Sequence, residues 1–589
     1  MTSMGATALL RIDRDQVINM DANTLEFPIS WIESVPDQLF NYFMEHYNVA
    51  DRERKALKKL AEKLIQHVGN KDKYENYVKW LNDRVKGTVD RVIKYYPELK
   101  DNCTEIVVRL KSDLKEKGLD SVSEYLNALY EIFNRQEINQ KLTMNWVKAV
   151  LLQPAAGQAS FLNVTKNKLS FEEQKTLFEK DYIIAVVWEL KLREKFDKGD
   201  EAGIELLMEA EESPAYVKKW RREQKKSKLD WITWLKTEVP ECTLLDGQWG
   251  TIPFEEMYFV PLGMSISNAR NYAWNGNIDA MQSISALAKL ILLVSPLGAH
   301  HYSRPYKGEE VRMFGFLHDE SSAEYTLNLN NQLSNAMNRD QKFSEALRDS
   351  FSKLREFEKK REHAAMLIEW DTDAKAKKTV LEYRVLNPDF VNFLLGDKSK
   401  VTSHISPHLF REEVVRAAMD NLDSKHLIVR EMRKVLDKTY HIRHAGPIKN
   451  ALLMREYLSR KKEEEEMIAE KTVTDQMYNL GHVVSQKLGG KRKENEDGSY
   501  QASNEKKLTA TAYRLMNAVK AGNRQLFFDT TVRLHIAAGM NIGKKLVQAI
   551  DPTTTDKEFA TIALAFTAGL IPSDEKAKEK ADSNKKEEN

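Results

Sequence analysis

The chain has 589 residues, 42% of them apolar, enough for several hydrophobic cores and a soft expectation of roughly four domains of ordinary size. Its 90 Lys plus Arg stand against 88 Asp plus Glu, a formal charge of +2, so a surface for a polyanion must come from local patches and not from net charge. Cys103 and Cys242 are too few for a disulfide framework or a thiolate zinc site and fit a reducing compartment; the N-terminal MTSMGATALLRIDRDQ lacks a basic segment followed by an apolar core, and these together predict a cytoplasmic protein without a membrane span.

In chain order, ALLRID (8–13) reads as a short strand-like start. Residues 30–200 then carry helical periodicity, as in YENYVKWLNDRVKGTVDRVIKYY, where Tyr77, Trp80, Leu81, Val85 and Val89 recur at spacings of three and four. From about 240 the pattern changes. FEEMYFVP (254–261), VRMFGFLH (311–318) and the pair MLIEW and TVLEYRVL, separated by DTDAKAKK, predict strands, the last two as a hairpin. Between them GMSISNARNYAWNGN (263–277) has strong turn chemistry, and ISALAKLILLV (284–294) is the most apolar helix, short and carrying Lys289. Residues 340–366 read as a long charged amphipathic helix, with further helices over 407–470. LGGKRKENEDGSYQASNEKK (488–507) reads as a flexible linker, and beyond it the periodicity predicts four short helices. Leu508, Ala512, Leu515 and Val519 line one face of the first, and Phe559, Ile562, Ala563 and Phe566 one face of the last. The fold class is α+β, predominantly helical: a helical region over 1–240, a mixed middle domain over 241–400, a helical connector over 401–466, a helical bundle over 467–572 and a disordered tail over 573–589.

Catalytic signatures are thin: there is no GxSxG, GxGxxG or HExxH. GMNIGKKL (539–546) imitates a phosphate loop, but Lys545 stands where Ser or Thr would hold magnesium and no strand precedes it, so a helix-turn-helix connection is expected. The histidines His300, His301, His441, His444 and the His318–Asp319 pair do not assemble into a ligand set, and no metal or cofactor is expected.

Two basic patches remain. Pro214 to Asp230 contains Lys218, Lys219, Arg221, Arg222, Lys225, Lys226 and Lys228 against Glu223 and Asp230, with Trp220, Trp231 and Trp234 interleaved. Cations neutralise phosphates and aromatic faces stack on bases, so this composition suits nucleic acid; equally, it suits a charged helix whose tryptophans face a core. Residues 503–550 contain Lys506, Lys507, Arg514, Lys520, Arg524, Arg533, Lys544 and Lys545 against Glu505 and Asp529, a phosphate-tracking composition. A third feature is the run KKEEEEM (461–467): a solvated helix face by its chemistry, yet every Lys codon is AAR and every Glu codon GAR, so six purine-only triplets stand directly before the codon of Met467.

The C-terminal text, AYRLMNAVKAGNRQLFFDTTVRLHIAAGMNIGKKLVQAI followed by KEFATIALAFTAGLIP, resembles the end of the large subunit of type I-B CRISPR Cascade complexes, the branch named for paired CXXC motifs. SISNARNYAWNGN, with the apolar helix and SPLGAHHY after it, is similar to that family's central region. With two cysteines the chain departs from the paired CXXC zinc site, and the basic Trp-rich segment is the candidate replacement. The resemblance implies a non-enzymatic antiviral-defence protein whose partners are guide RNA and target DNA, the backbone, guide-end-capping and small subunits, and a helicase-nuclease. It implies PAM reading, for which Arg270, Asn271, Asn275 and Asn277 carry suitable side chains with Trp274 as wedge or prop, and a separately made small subunit starting at Met467, with Met477 the nearest other start. Two rivals stay open: a metal-dependent nuclease or hydrolase around His318 and Asp319, and a helical scaffold with no nucleic-acid role.

Overall fold

The computed structural model describes residues 1–571 other than 22–23, 116–120, 212, 256–257, 263–281, 307–308, 321, 338–340, 355–363, 372–380, 438–444, 460–471, 490–492, 495–499 and 502–504. Arg270, Asn271, Trp274, Asn275 and Asn277, the KKEEEEM run with Met467, His441, His444 and the tail over 573–589 lie outside the described residues.

The fold is predominantly helical α+β. The chain opens not with a strand but with helix α1 (Thr2–Ile12), whose Met4, Ala8 and Leu9 are buried. An apolar run this short does not distinguish strand from helix by period; packing against a later helix decides it. After a two-residue ladder of β1 (Asn19–Met20) with β2 (Leu25–Glu26) comes α2 (Ile29–His46). Helices α3 (Val49–Gln66), α4 (Lys71–Tyr95), α5 (Lys100–Lys115), α6 (Val122–Phe133) and α7 (Gln136–Trp146) enclose one core containing Leu81, Val85, Val89 and Cys103. Trp80, from the same periodic stripe, sits at its edge and is 52% exposed.

Helices α8 (Gln153–Ala156), α9 (Phe171–Phe178) and α10 (Ile184–Asp197) lead to a compact unit of α11 (Glu201–Glu209), α12 (Val217–Ser227) and α13 (Trp231–Glu238), whose core is built on Trp188, Trp220, Trp231, Trp234 and Trp249. Among the described residues of 254–261 none is in a strand. Pairing is confined to β3 (Ile252–Pro253) with β4 (Ser283–Ile284), Val260–Leu262 is a 3-10 turn, and Phe254 and Phe259 are buried as core fillers. Helix α14 (Ala286–Gly298) is buried on nearly every side and packs on α1, with Gly5 against Ile291 and Gly298 against the Met4 carbonyl.

The main sheet is antiparallel in the order β5 (His300–Tyr306), β6 (Glu309–Asp319), β7 (Ala365–Asp371), β8 (Leu381–Leu386). Two helices, α15 (Ala323–Met337) and α16 (Phe343–Lys353), are inserted between β6 and β7. The helix expected over 340–366 is therefore shorter, because Ala365 already pairs with Asp319 in the sheet. Strand alternation sends Leu317, Leu367 and Leu386 to one core and Phe314, Phe316 and Trp370 to another, so the sheet separates the two largest cores. Under the first face Glu369 is fully buried, accepting from the Tyr302 hydroxyl and from Arg384 Nη1 at 2.5 Å.

Helices α17 (Pro388–Leu395), α18 (His408–Met419), α19 (Lys425–Leu436) and α20 (Gly446–Tyr457) continue into α21 (Val473–Gly489). The expected linker contains a short ladder of β9 (Lys493–Glu494) with β10 (Tyr500–Gln501). The four expected helices follow as α22 (Glu505–Lys520), α23 (Arg524–Ala537), α24 (Lys544–Gln548) and α25 (Asp556–Leu570). Leu508, Ala512, Leu515 and Val519 form the buried face of α22 as the spacing requires, whereas α25 is buried from Phe559 to Leu570 on all sides. It crosses α21 in backbone contact at Gly481 and Gly569. Arg455 of α20 ties this bundle to the rest: its guanidinium donates to both Asp423 oxygens at 2.6 and 2.8 Å, to the Lys557 carbonyl at 3.1 Å and to Thr561 Oγ1 at 2.5 Å. One core thus runs without a break from Tyr302 to Ile571.

Candidate nucleic-acid interface

Helix α12 reads VKKWRREQKKS, and its two faces differ completely. Val217 and Trp220 are buried, and Lys218, Lys219, Arg222, Lys225, Lys226 and Lys228 are exposed, with Arg221 half-buried. The Trp220 ring lies 5.7 Å from Trp234, which is 5.6 Å from Trp231, all edge-to-face inside the core. The three tryptophans therefore do not present faces to bases: the i, i+3 spacing of Val217 and Trp220 places them on the inward side, and apolar burial of an indole outweighs its exposure. What remains is a cationic ridge. Only Lys219 and Glu223 form an ion pair along it among the described residues, at 3.6 Å. The ridge is held from below by Tyr216, whose hydroxyl donates to Glu189 at 2.7 Å; Glu189 also accepts from Thr251 and from the Ala286 amide at 2.8 Å. Burial pushes the Glu189 carboxyl up to about 7 in spite of these three donors.

In the C-terminal bundle the expected cations divide. Lys506, Lys507, Arg514, Lys520, Arg533 and Lys544 are exposed, and Lys545 is half-buried. Arg524 is a structural residue and not a free phosphate contact: it bonds Asp556 at 2.8 Å and the Asp551 carbonyl at 3.0 Å, and lies 5.4 Å over the Phe559 ring. Lys520 is the residue that meets others. At the end of α22 it lines a groove of about 590 Å³ shared with α19, whose Lys425, His426, Arg430 and Arg433 face the same space beside Asn517. Asp423 also lines it; burial works to raise its pKa, yet the Arg455 pair holds the carboxyl low and neutralises its charge.

Lys425, Arg430 and Arg433 were not singled out from the sequence. Their signal is present in KHLIVREMRKVL: Leu427, Ile428 and Met432 form a buried stripe and the cations occupy the other face. Sequence alone does not say that this face abuts Lys520. Arg430 is paired to Glu413, and Arg433 to Asp437 at 3.7 Å, both across exposed, screened geometry that a phosphate can replace.

The other expected sites resolve locally. Gly543 precedes a five-residue helix and Gly539 has φ of +60°, a turn between helices as the GMNIGKKL spacing predicts. His318 is part-buried on β6 and the neighbouring Asp319 amide bonds Thr326; among the described residues no three His, Cys, Asp or Glu side chains converge as a metal site. Cys103 and Cys242 are free and lie in different cores. Among the described residues no helix is long and apolar enough to cross a membrane. A scan against models of known families matches none, and no characterised protein is recognisably similar in sequence.

Proposed function

We propose that the chain is the non-catalytic large subunit of a type I-B CRISPR Cascade surveillance complex in the cytoplasm. It partners guide RNA and target DNA, reads the PAM, supports R-loop formation, contacts the other Cascade subunits and recruits the helicase-nuclease. The observation that best supports this is the groove between α19 and α22, where Lys425, Arg430, Arg433 and Lys520 converge from two distant parts of the chain beside a neutralised Asp423. In a guide-directed complex base pairing supplies sequence specificity, so the protein must supply a short-motif reader and a cationic track. The groove and the α12 ridge have the chemistry of such a track.

The test is to express the chain with its neighbouring genes and replace Lys425, Arg433 and Lys520 with Gln. Affinity should fall about equally across sequences, and the salt slope should flatten by about one unit per lost contact. An unchanged slope removes the groove's role, and a purified complex with no defined guide RNA removes the reading. Asn271→Ala or Asn275→Ala should weaken binding to PAM-bearing targets more than to PAM-less duplex; equal loss refutes PAM reading by this loop.

A start at Met467 would leave α21 whole, whereas a start at Met477 would cut away its first turn, where Thr472 Oγ1 accepts from the Asp475 amide at 3.0 Å. A free copy would expose the side of α25 that Arg455 covers, giving it a face for docking onto another subunit. With a C-terminal tag, the natural gene should yield a short band that copurifies with the complex, and a Met467→Leu, Met477→Leu variant should not. Met477 is buried, and Leu conserves its volume, so folding should survive the change. A band that persists in the variant is a proteolytic product.

A further inference from the structure

A second cavity, of about 800 Å³, lies between α1, α2, the start of α3, β5 and α15, away from both cationic surfaces. Among the described residues no Asp or Glu lines it, whereas Arg11, Arg14 and Arg52 do. Arg14 is engaged at the rim by Glu324 at 2.5 Å. Arg11 is inside. Its Nε donates to Asn331 Oδ1 at 2.9 Å and its Nη1 to the carbonyls of Leu297 and Ala299 at 2.6 and 3.3 Å, while its buried Nη2 has no partner among the described residues. Arg52 lies 3.8 Å over the Trp146 ring. Neither Arg11 nor Arg52 forms an ion pair with a described carboxylate. The carbonyls at the end of α14 offset part of the Arg11 charge through the helix dipole, but a guanidinium withdrawn from water without a counter-ion is costly. Burial accordingly pushes the Arg11 pKa down. An anion in the cavity would supply the missing charge.

The rest of the lining suits more than a bare anion. Asn328, Asn331 and Asn335 fall on one face of α15 at spacings of three and four, Asn328 and Asn335 each offering a donor and an acceptor and Asn331, whose Oδ1 is held by Arg11, offering its amide N–H donors. The Tyr42 and Tyr47 rings form an aromatic wall, 6.0 Å apart and edge-to-face, and Tyr47 stacks on Trp146. His301 Nε2 is buried and without a hydrogen-bond partner among the described residues, and the ring is neutral, because burial and the nearby Arg312 and Arg52 charges push its pKa down to about 4. The volume lies within the range of small-ligand pockets.

We propose that this cavity binds a nucleoside phosphate, either a free nucleotide or one nucleotide turned out of a strand. Arg11 and Arg52 take the phosphate, the Asn face of α15 and His301 take the base edge, and the tyrosines wall the ring. This inference stands apart from the Cascade reading.

The test titrates the purified full chain, by calorimetry, with AMP, GMP, CMP, UMP, inorganic phosphate and a short single-stranded RNA. The RNA arm uses the Lys425, Arg433, Lys520 triple Gln variant, so that the groove does not contribute. Binding of a mononucleotide identifies a free ligand, and binding of RNA alone identifies a strand nucleotide; each supports the proposal. Arg52→Gln and the isosteric Asn328→Asp should each weaken that binding about tenfold, the scale of one charge-assisted hydrogen bond. The carboxylate of Asn328→Asp should also raise the melting temperature by giving the arginines a counter-ion, which a merely structural Asn would not do. No binding by any probe, inorganic phosphate binding as tightly as every nucleotide, or unchanged binding in both variants overturns it. Loss of strand binding in the groove variant with nucleotide binding intact assigns the strand to the groove and the cavity to a free nucleotide.

Discussion

Gly569→Ala separates two effects of opposite sign. Inside a helix Ala is better than Gly by about 1 kcal/mol, so propensity alone favours the change. At this position, however, a Cβ would lie 2.0 Å from the Tyr478 carbonyl oxygen and 2.9 Å from the His482 nitrogen. A carbon and a carbonyl oxygen settle at about 3.4 Å, so α25 and α21 must separate by roughly 1.4 Å. Both sides of the contact are backbone, and no rotamer change relieves it. Overpacking in a close-packed interior costs about 1–3 kcal/mol, and the rigid partner puts this case at or above the top of that range. The net loss should be about 2 kcal/mol. In Gly87→Ala, by contrast, the new methyl on α4 meets nothing within 4 Å, leaving only the propensity gain. Hydrogen exchange reports each helix separately, which a global melt of a chain with several cores does not. Amides of α21 and α25 should exchange about 30-fold faster in Gly569→Ala, and those of α4 a few-fold slower in Gly87→Ala. Unchanged or slower exchange in α25 would refute the backbone crossing.

Glu189 should impose a pH dependence of its own. Its pKa is raised to about 7 in the folded protein from an ordinary 4.5, so the folded state binds the extra proton between these values and stability falls as pH rises through that window, by about 3 kcal/mol. The stability difference between wild type and Glu189→Gln, followed from pH 4 to 8, should show this slope (pH range on the order of the window); parallel profiles would refute it. Glu369→Ala should take the shared acceptor from the Tyr302 hydroxyl and Arg384 Nη1 and leave a buried void, at a cost of about 2–4 kcal/mol even though Glu382 and Asp420 still pair with Arg384, whereas a surface-like loss below about 1 kcal/mol, read from chemical denaturation, would contradict the buried network. On α12, Trp220→Ala should cost about 3–5 kcal/mol, and Lys218, Lys225 and Lys226 to Gln together should leave the melting temperature within about a degree while flattening the salt slope of nucleic-acid binding. Trp220→Ala that folds normally but loses binding would return the tryptophan to the nucleic acid.

Period and composition determined the elements of this protein wherever one face of a segment is apolar and long enough to be read. The stripe Leu508, Ala512, Leu515, Val519 is the buried face of α22, and the runs MLIEW and EYRVL on either side of a polar connection are the β7–β8 hairpin. The same information failed where the run is short. ALLRI is apolar apart from Arg11 and too short to show a period, and it became helical because Gly5 and Gly298 let α1 lie against α14, a contact between the two ends of a core that no local pattern records. FEEMYFVP has strand residues but only a two-residue ladder beside it, so its aromatics were buried without a strand. Trp220 of α12 and Trp231 and Trp234 of α13 fit either surface or core until Trp188 and Trp249 arrived from other segments to enclose them. Sites depend on tertiary structure more strongly still. A cation's neighbours in sequence give its face, whereas its partner is set by which helices meet: Lys520 with Arg433 across a groove, Arg11 with three carbonyl and amide oxygens and no described carboxylate. Side-chain periodicity fixes which residues turn inward, because burial is a property of one element; charge convergence is a property of two, and only the packed chain decides it.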